Sequence, residues 1–206
     1  LLVTLDLEHY DYAKDSRTLI RATEGTILSR IPPRKEIRRN APLELPHIMV
    51  LINDAKRSVI EPLANKTDTL EKVYDTELMA NGGHLSAWKV DRQEDLQAMA
   101  LAVEAMHAEL NPSNPLLFAM GDGNHSLATA KSCWEDIKQG LSEDGRKNHP
   151  ARYALVELEN IFDPGLAFEP IHRVLFNLSR QTFLEEIAKV CESYVVSKAS
   201  SKEDVL

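Results

Sequence analysis

The sequence predicts an α/β (α+β) protein: a mixed β-sheet with a central hairpin and helices packed on it. Three observations lead there. Apolar runs of strand length alternate with amphipathic stretches of helical period. One pair of strand patterns is joined by Asn81-Gly82-Gly83, a turn that returns the chain antiparallel. With 43% hydrophobic and 27% charged residues over 206 positions, the chain has globular composition and the length of one large domain or two small ones.

The elements follow in order. Residues 1–8 alternate as a strand, and residues 18–22 form a short one that ends at the Glu24-Gly25 turn. Pro32-Pro33 suits the first turn of a helix, which runs to about Asn40 and stops before Pro42. Residues 46–52 are rich in Ile, Val and Met and read as a buried strand; a short helix covers residues 58–64. Residues 72–78 and 85–90 pair as the hairpin. Leu96, Met99, Ala100, Val103, His107 and Leu110 mark a long helix that ends at Asn111-Pro112. The continuous apolar run Leu116-Leu117-Phe118-Ala119-Met120 is a central strand. Leu127, Ala130, Trp134, Ile137 and Leu141 mark a second strong helix, and residues 142–149 an exposed loop. Residues 152–158 and 166–176 read as strands around Asp163-Pro164-Gly165, and residues 181–194 as a final helix.

The chain lacks a starting Met and enters directly into a strand pattern, and its last residues resemble the beginning of a helix. The expectation is a single globular fragment, residues 1–206, of a longer chain, with a possible subdivision near 111–115. No signal peptide or membrane-spanning run is present, and Cys133 and Cys191 read as buried free thiols, so a cytoplasmic setting is expected. The net charge of −8 disfavours nucleic acid as a partner. The charge is uneven, however. Between Arg21 and Arg39, six cations (Arg21, Arg30, Arg34, Lys35, Arg38 and Arg39) face two acids, Glu24 and Glu36. Such a segment suits a small anion such as a phosphate.

The sharpest chemical signal is Gly121-Asp122-Gly123-Asn124-His125-Ser126, where a buried strand passes through two glycines into a helix. Glycines admit a sharp turn and close approach to a ligand. The free N–H groups and positive dipole end of a helix start favour an anion. Asp122 and His125, three apart, can bind a metal or move protons. The plainer alternative is a cap, with Asn124 or Ser126 capping and Asp122 complementing the dipole. A dinucleotide fingerprint is excluded because Ser126 stands where its third glycine belongs; no Gly-Lys-Ser/Thr and no Gly-x-Ser-x-Gly exists. Two weaker candidates are Glu24, a turn carboxylate among arginines that could act as a base or form a plain surface pair, and His172-Arg173.

Residues 19–26, Arg30-Ile31-Pro32-Pro33-Arg34, residues 41–47, Gly121 to Ser126 with residues 127–131, and Asp163-Pro164-Gly165 with Pro170-Ile171-His172-Arg173 together resemble the domain of unknown function 1015 family. The likeness runs in order along nearly the whole chain, and members are typically about twice this length. Many read Asp-Gly-His-His-Arg where this chain has Asp122 to Ser126, so no arginine role carries over to Ser126. The Asp-Gly-x-His turn is also distantly similar to the ParB-like and sulfiredoxin-like superfamily, which implies a core of that kind and nucleotide chemistry, including a free-serine kinase.

That second resemblance implies Glu24, Asp122 and His125 as catalytic residues. Asp122 and His125 would also sit at a divalent metal, Mg or Mn. Phosphate and substrate would meet Arg21, Thr23, Arg34, Arg38, Gly123, Asn124, Ser126, His172 and Arg173. The implied cofactors are that metal with a nucleotide or pyrophosphate; the partner is a small-molecule phosphate ligand, with no membrane. The function expected is a small-molecule phosphotransferase of serine-kinase type. The alternative is a non-catalytic nucleotide sensor or a ParB-like nucleic-acid-binding module.

Overall fold

A computed structural model describes residues 1–45, 47–167, 174–198, 200 and 201. Contacts divide the chain into two units, Leu1–Pro164 and Gly165–Leu206.

The first unit is built on a five-stranded mixed sheet. Its strands are β1 (Leu2–Asp6), β2 (Ile20–Ala22), β3 (Met49–Ile52), β6 (Phe118–Asp122) and β7 (Tyr153–Asn160), in the spatial order β1-β7-β3-β6-β2. β1 pairs antiparallel with β7, β7 parallel with β3, β3 antiparallel with β6, and β6 parallel with β2. A lone bridge from Tyr10, just past β1, to Ile20 in β2 links the two edges, so the sheet curls on itself.

Side-chain alternation decides which face is covered. In β7, Ala154, Val156, Leu158 and Asn160 are buried while their neighbours are not. Val50 and Ile52 of β3 and Met120 of β6 join them. Helix α4 (Asn124–Lys138) closes this core with Leu127, Ala130 and Trp134, three of the five residues that predicted it. Burying one such aliphatic side chain stabilises by roughly 1.5–3 kcal/mol. Helix α1 (Ile31–Arg39), with its prolines in the first turn as expected, packs beside α4.

Elsewhere the structure differs from expectation. The hairpin of β4 (Glu71–Glu77) and β5 (His84–Lys89) forms, but as a separate two-stranded sheet with every residue of β4 exposed. Helix α2 (Glu61–Ala64) is one turn. In α3 (Gln93–Ala108), Met99, Ala102, Val103 and Met106 face the core, whereas Leu96, Ala100 and His107 of the expected stripe are exposed. Asp95, one turn before Met99 on that same face, is buried and ion-paired to Lys66 and Arg92. A one-turn helix α5 (Glu143–Lys147), capped by Ser142, interrupts the expected loop.

Cys133 is half-buried and Cys191 exposed, so the thiols are free but not buried. In the second unit, α6 (Arg180–Val190) is capped by Ser179 and ends before Cys191, four residues short of the expected limit. The strand expected at residues 166–176 lies largely outside the described residues; residues 166, 167 and 174–176 are not in a strand. No helix among the described residues is long and apolar enough to cross a membrane.

Candidate functional site

The turn between β6 and α4 explains its glycines. Gly121 is opposed by a register shift at Met49/Val50, a bulge that turns the end of β6. Gly123 takes φ +82°, and a Cβ there would fall 2.7 Å from the carbonyl oxygen of His47 and 2.9 Å from Ile48 Cα. Both the backbone angle and the space therefore require glycine at this position. Asp122 is exposed, with Oδ1 accepting from the Gly123 N–H at 2.7 Å.

Helix α4 has Gly123 as its N-cap and no side-chain cap. The polar residues of its first turn reach elsewhere. Asn124, 4% exposed, accepts from Thr26 Oγ1 at 3.1 Å and donates through Nδ2 to the Glu24 carbonyl at 3.4 Å. His125 Nε2 accepts from the Ile27 backbone N–H at 3.1 Å, which places the proton of a neutral ring on Nδ1. Thr23, just past β2, donates from both N–H and Oγ1 to the Met120 carbonyl, at 3.3 and 2.8 Å. The loop of residues 23–27 is thus tied at its start to β6 and further along to the first turn of α4. Ser126 is half-buried in the same turn.

On another side of that loop lies a cleft of about 740 Å³, lined by Tyr12, Lys14, Ser16, Arg21, Thr23, Glu24, Thr26 and Leu116 among others. Arg21 donates to Asn114 Oδ1 at 2.6 Å and to the Ser16 carbonyl at 3.2 Å, both neutral acceptors. Among the described residues, Lys14, Arg21 and Glu24 take part in no ion pair. The cleft therefore holds two cations and one carboxylate that form no ion pair among the described residues.

The structure sorts the sequence candidates into groups. Arg21, Thr23 and Glu24 share the cleft. Asp122, Gly123, Asn124, His125 and Ser126 form the adjoining turn. Arg34 donates to the carbonyl of Arg30, and Arg38 pairs with Glu44. Arg38 also borders a cavity of about 330 Å³ with Lys35, Cys133, Asp136 and Tyr153. Cys133 is nine residues along α4 from Asn124, about 13 Å at 1.5 Å per residue. The basic segment is therefore dispersed, with Arg21 on β2 in the cleft and Arg34, Lys35, Arg38 and Arg39 along α1, not gathered at the turn. His172 and Arg173 lie outside the described residues. Tyr12, Lys14 and Ser16 were not singled out by the sequence, because a polar turn carries no periodicity and its place beside β2 is a tertiary fact.

The residues fit a divalent cation only in part. Among the described residues no group of three or more His, Cys, Asp and Glu gathers for a metal. His125 has its Nε2 lone pair engaged by Ile27. Asp122 offers a single exposed carboxylate, the kind of ligand that shares Mg²⁺ with phosphate oxygens and water.

Fold and site together define an α/β protein whose curled mixed sheet presents a polar cleft at the edge strand β2, next to a glycine-turned helix start. The chain belongs to the DUF1015 family, described as proteins of unknown function: the family's model matches residues 1–205. No curated protein and no solved structure matches the chain.

Proposed function

We propose that this chain carries the phosphate-handling site of a small-molecule phosphotransferase acting on a hydroxyl, such as that of serine. The supporting observation is the cleft beside β2. There Lys14 and Arg21 are cations in no ion pair among the described residues, beside the Glu24 carboxylate on a loop tied to β6 and α4. Phosphoryl transfer is mostly positioning and charge neutralisation, which these residue types supply. Lys14 and Arg21 hold the transferred phosphate. Thr23 and Thr26, whose hydroxyls donate to the Met120 carbonyl and to Asn124, hold the loop in place.

Glu24 takes the proton of the attacking hydroxyl as the new P–O bond forms and the bond to the donor breaks. Asp122, exposed at the neighbouring turn, would be the carboxylate that holds Mg²⁺ or Mn²⁺, which would neutralise phosphate charge. The test is phosphorus NMR on the whole protein with serine, Mg²⁺ or Mn²⁺, and in turn ATP, ADP and pyrophosphate. A phosphoserine signal is expected, with Glu24→Gln lowering its rate by about 10²–10⁴-fold and Asp122→Asn abolishing it. Full turnover in both folded variants would remove the assignment.

A second reading has its own observation. Asn124 and His125, the polar residues of the helix start, are engaged with protein groups, which suits a module that senses a phosphate ligand without chemistry. Tight binding of ATP, ADP or pyrophosphate with no product would select it.

A further inference from the structure

We infer that Asn124 and His125 are positioning residues that latch the Glu24 loop onto helix α4, and that His125 works as a hydrogen-bond acceptor, not as an acid, a base or a metal ligand. For its effect on turnover the inference rests on the phosphotransferase reading; the latch itself does not.

The geometry is a set of three contacts across about a hundred residues of sequence. Thr26 Oγ1 donates to Asn124 Oδ1, Asn124 Nδ2 donates to the Glu24 carbonyl, and the Ile27 N–H donates to His125 Nε2. Asn124 is 4% exposed, so its amide must find partners within the protein. It uses oxygen and nitrogen both, on two residues of one loop. Successive helical positions N1 and N2 thus grip residues 24, 26 and 27, and Gly123 is the hinge that aims them.

Glu24 lies at one end of this grip, with Thr23 fastened to the Met120 carbonyl immediately before it. Without the grip the loop would be held only at Thr23 and where it leads into α1, and the Glu24 carboxylate would sample the cleft. A ring that donates or binds metal through Nε2 cannot at the same time accept there from Ile27. The side-chain chemistry that made His125 stand out in the sequence is therefore engaged in holding backbone.

Glutamine can place its Oε1 near the position of a histidine Nε2, keeping the acceptor while removing titration and most metal affinity. Phenylalanine keeps the ring volume and removes the acceptor. The experiment measures Ile27 amide hydrogen exchange by NMR and phosphotransfer by phosphorus NMR in the wild type, His125→Phe and His125→Gln. Thr26→Val tests the latch from the loop side, so the inference does not depend on altering the helix.

In His125→Phe the Ile27 amide is expected to exchange about 5–10-fold faster, the equivalent of one ordinary hydrogen bond. His125→Gln should restore most of that protection. Turnover should follow the same order through kcat, with the KM for the phosphate donor changing least, and Thr26→Val should loosen the Glu24–Ile27 backbone likewise. Two results would overturn the inference: unchanged Ile27 exchange in His125→Phe, or a His125→Gln protein that protects Ile27 yet loses turnover as fully as His125→Phe. Should the wild type transfer no phosphate, the function reading fails, and the exchange order still decides the latch.

Discussion

Two parts of the first unit use glycine at a turn and come out opposite in character. At the β6–α4 junction, Gly123 sits against the backbone of His47 and Ile48, and Thr23, Asn124 and His125 are tied to a distant strand or loop. At the tip of the β4–β5 hairpin, Gly83 has φ +93° and nothing within 4 Å of where a Cβ would be. Val73, Leu78, Met79 and Leu85 around it are exposed. The same residue type marks a packed hinge in one place and a free bend in the other. What separates them is what surrounds the backbone, and that surrounding is where the candidate chemistry lies.

The largest effect that would test this contrast is steric. Gly123→Ala combines a left-handed backbone with a clash against backbone atoms and is expected to cost about 3–5 kcal/mol in chemical denaturation. Gly83→Ala carries the backbone penalty alone, about 1–2 kcal/mol. Equal costs would show that the close approach at His47 is relieved by relaxation. A smaller effect is expected from single hydrogen bonds. Thr23→Val removes the 2.8 Å bond to the Met120 carbonyl and should cost about 1 kcal/mol, against less than ~0.5 kcal/mol for Ser86→Ala on the exposed hairpin.

The smallest effect is electrostatic and confined to the hairpin. His84 Nδ1 meets Glu77 at 2.7 Å and Nε2 meets Asp75, and these carboxylates, Glu77 first, raise its pKa above the ordinary 6.5. A raised folded pKa stabilises fully below the unfolded value and is lost as pH rises through the folded one. Cross-strand nuclear Overhauser contacts between β4 and β5 should therefore weaken on titration upward from pH 6.5. Those of the β6–α4 junction should not follow. Asp75 stays ionised throughout, held far below the usual carboxylate range by Lys72 first and then by His84. A hairpin indifferent to pH in this range, or one that stays pH-sensitive in His84→Ala, would remove His84 as the cause.

Much of the local structure was legible. The apolar run at Leu116 to Met120 announced β6, Pro32-Pro33 the start of α1, Asn81-Gly82-Gly83 the hairpin turn, and the Leu127, Ala130, Trp134 spacing the buried face of α4. Those signals are short-range and come from backbone preference or periodicity. The burial of Asp95 on α3 was not legible, because Lys66, one of its two partners, comes from another element. The site was half legible. The turn at Gly121 to Ser126 was visible, but Asn124 and His125 read as ligands when their partners lie about a hundred residues away in the Glu24 loop. The dispersal of Arg34 and Arg38 also escaped the sequence, since local charge density does not say which way each side chain of a helix is drawn.

The order β1-β7-β3-β6-β2 has a consequence for how the chain reaches its native state. Of the main-sheet neighbours only β3 and β6 follow one another among its strands, about 65 residues apart, and Leu2 to Asp6 must wait for Tyr153 to Glu157. Contacts of such separation require large loops to close before they reward the chain, which slows folding. During synthesis the β4–β5 hairpin can form as soon as Lys89 has emerged, while β1 stays an unpaired edge until β7 follows. A strand made well before its partner is thus among the last to be satisfied, and the interval in which its backbone lies open is set by the speed of translation.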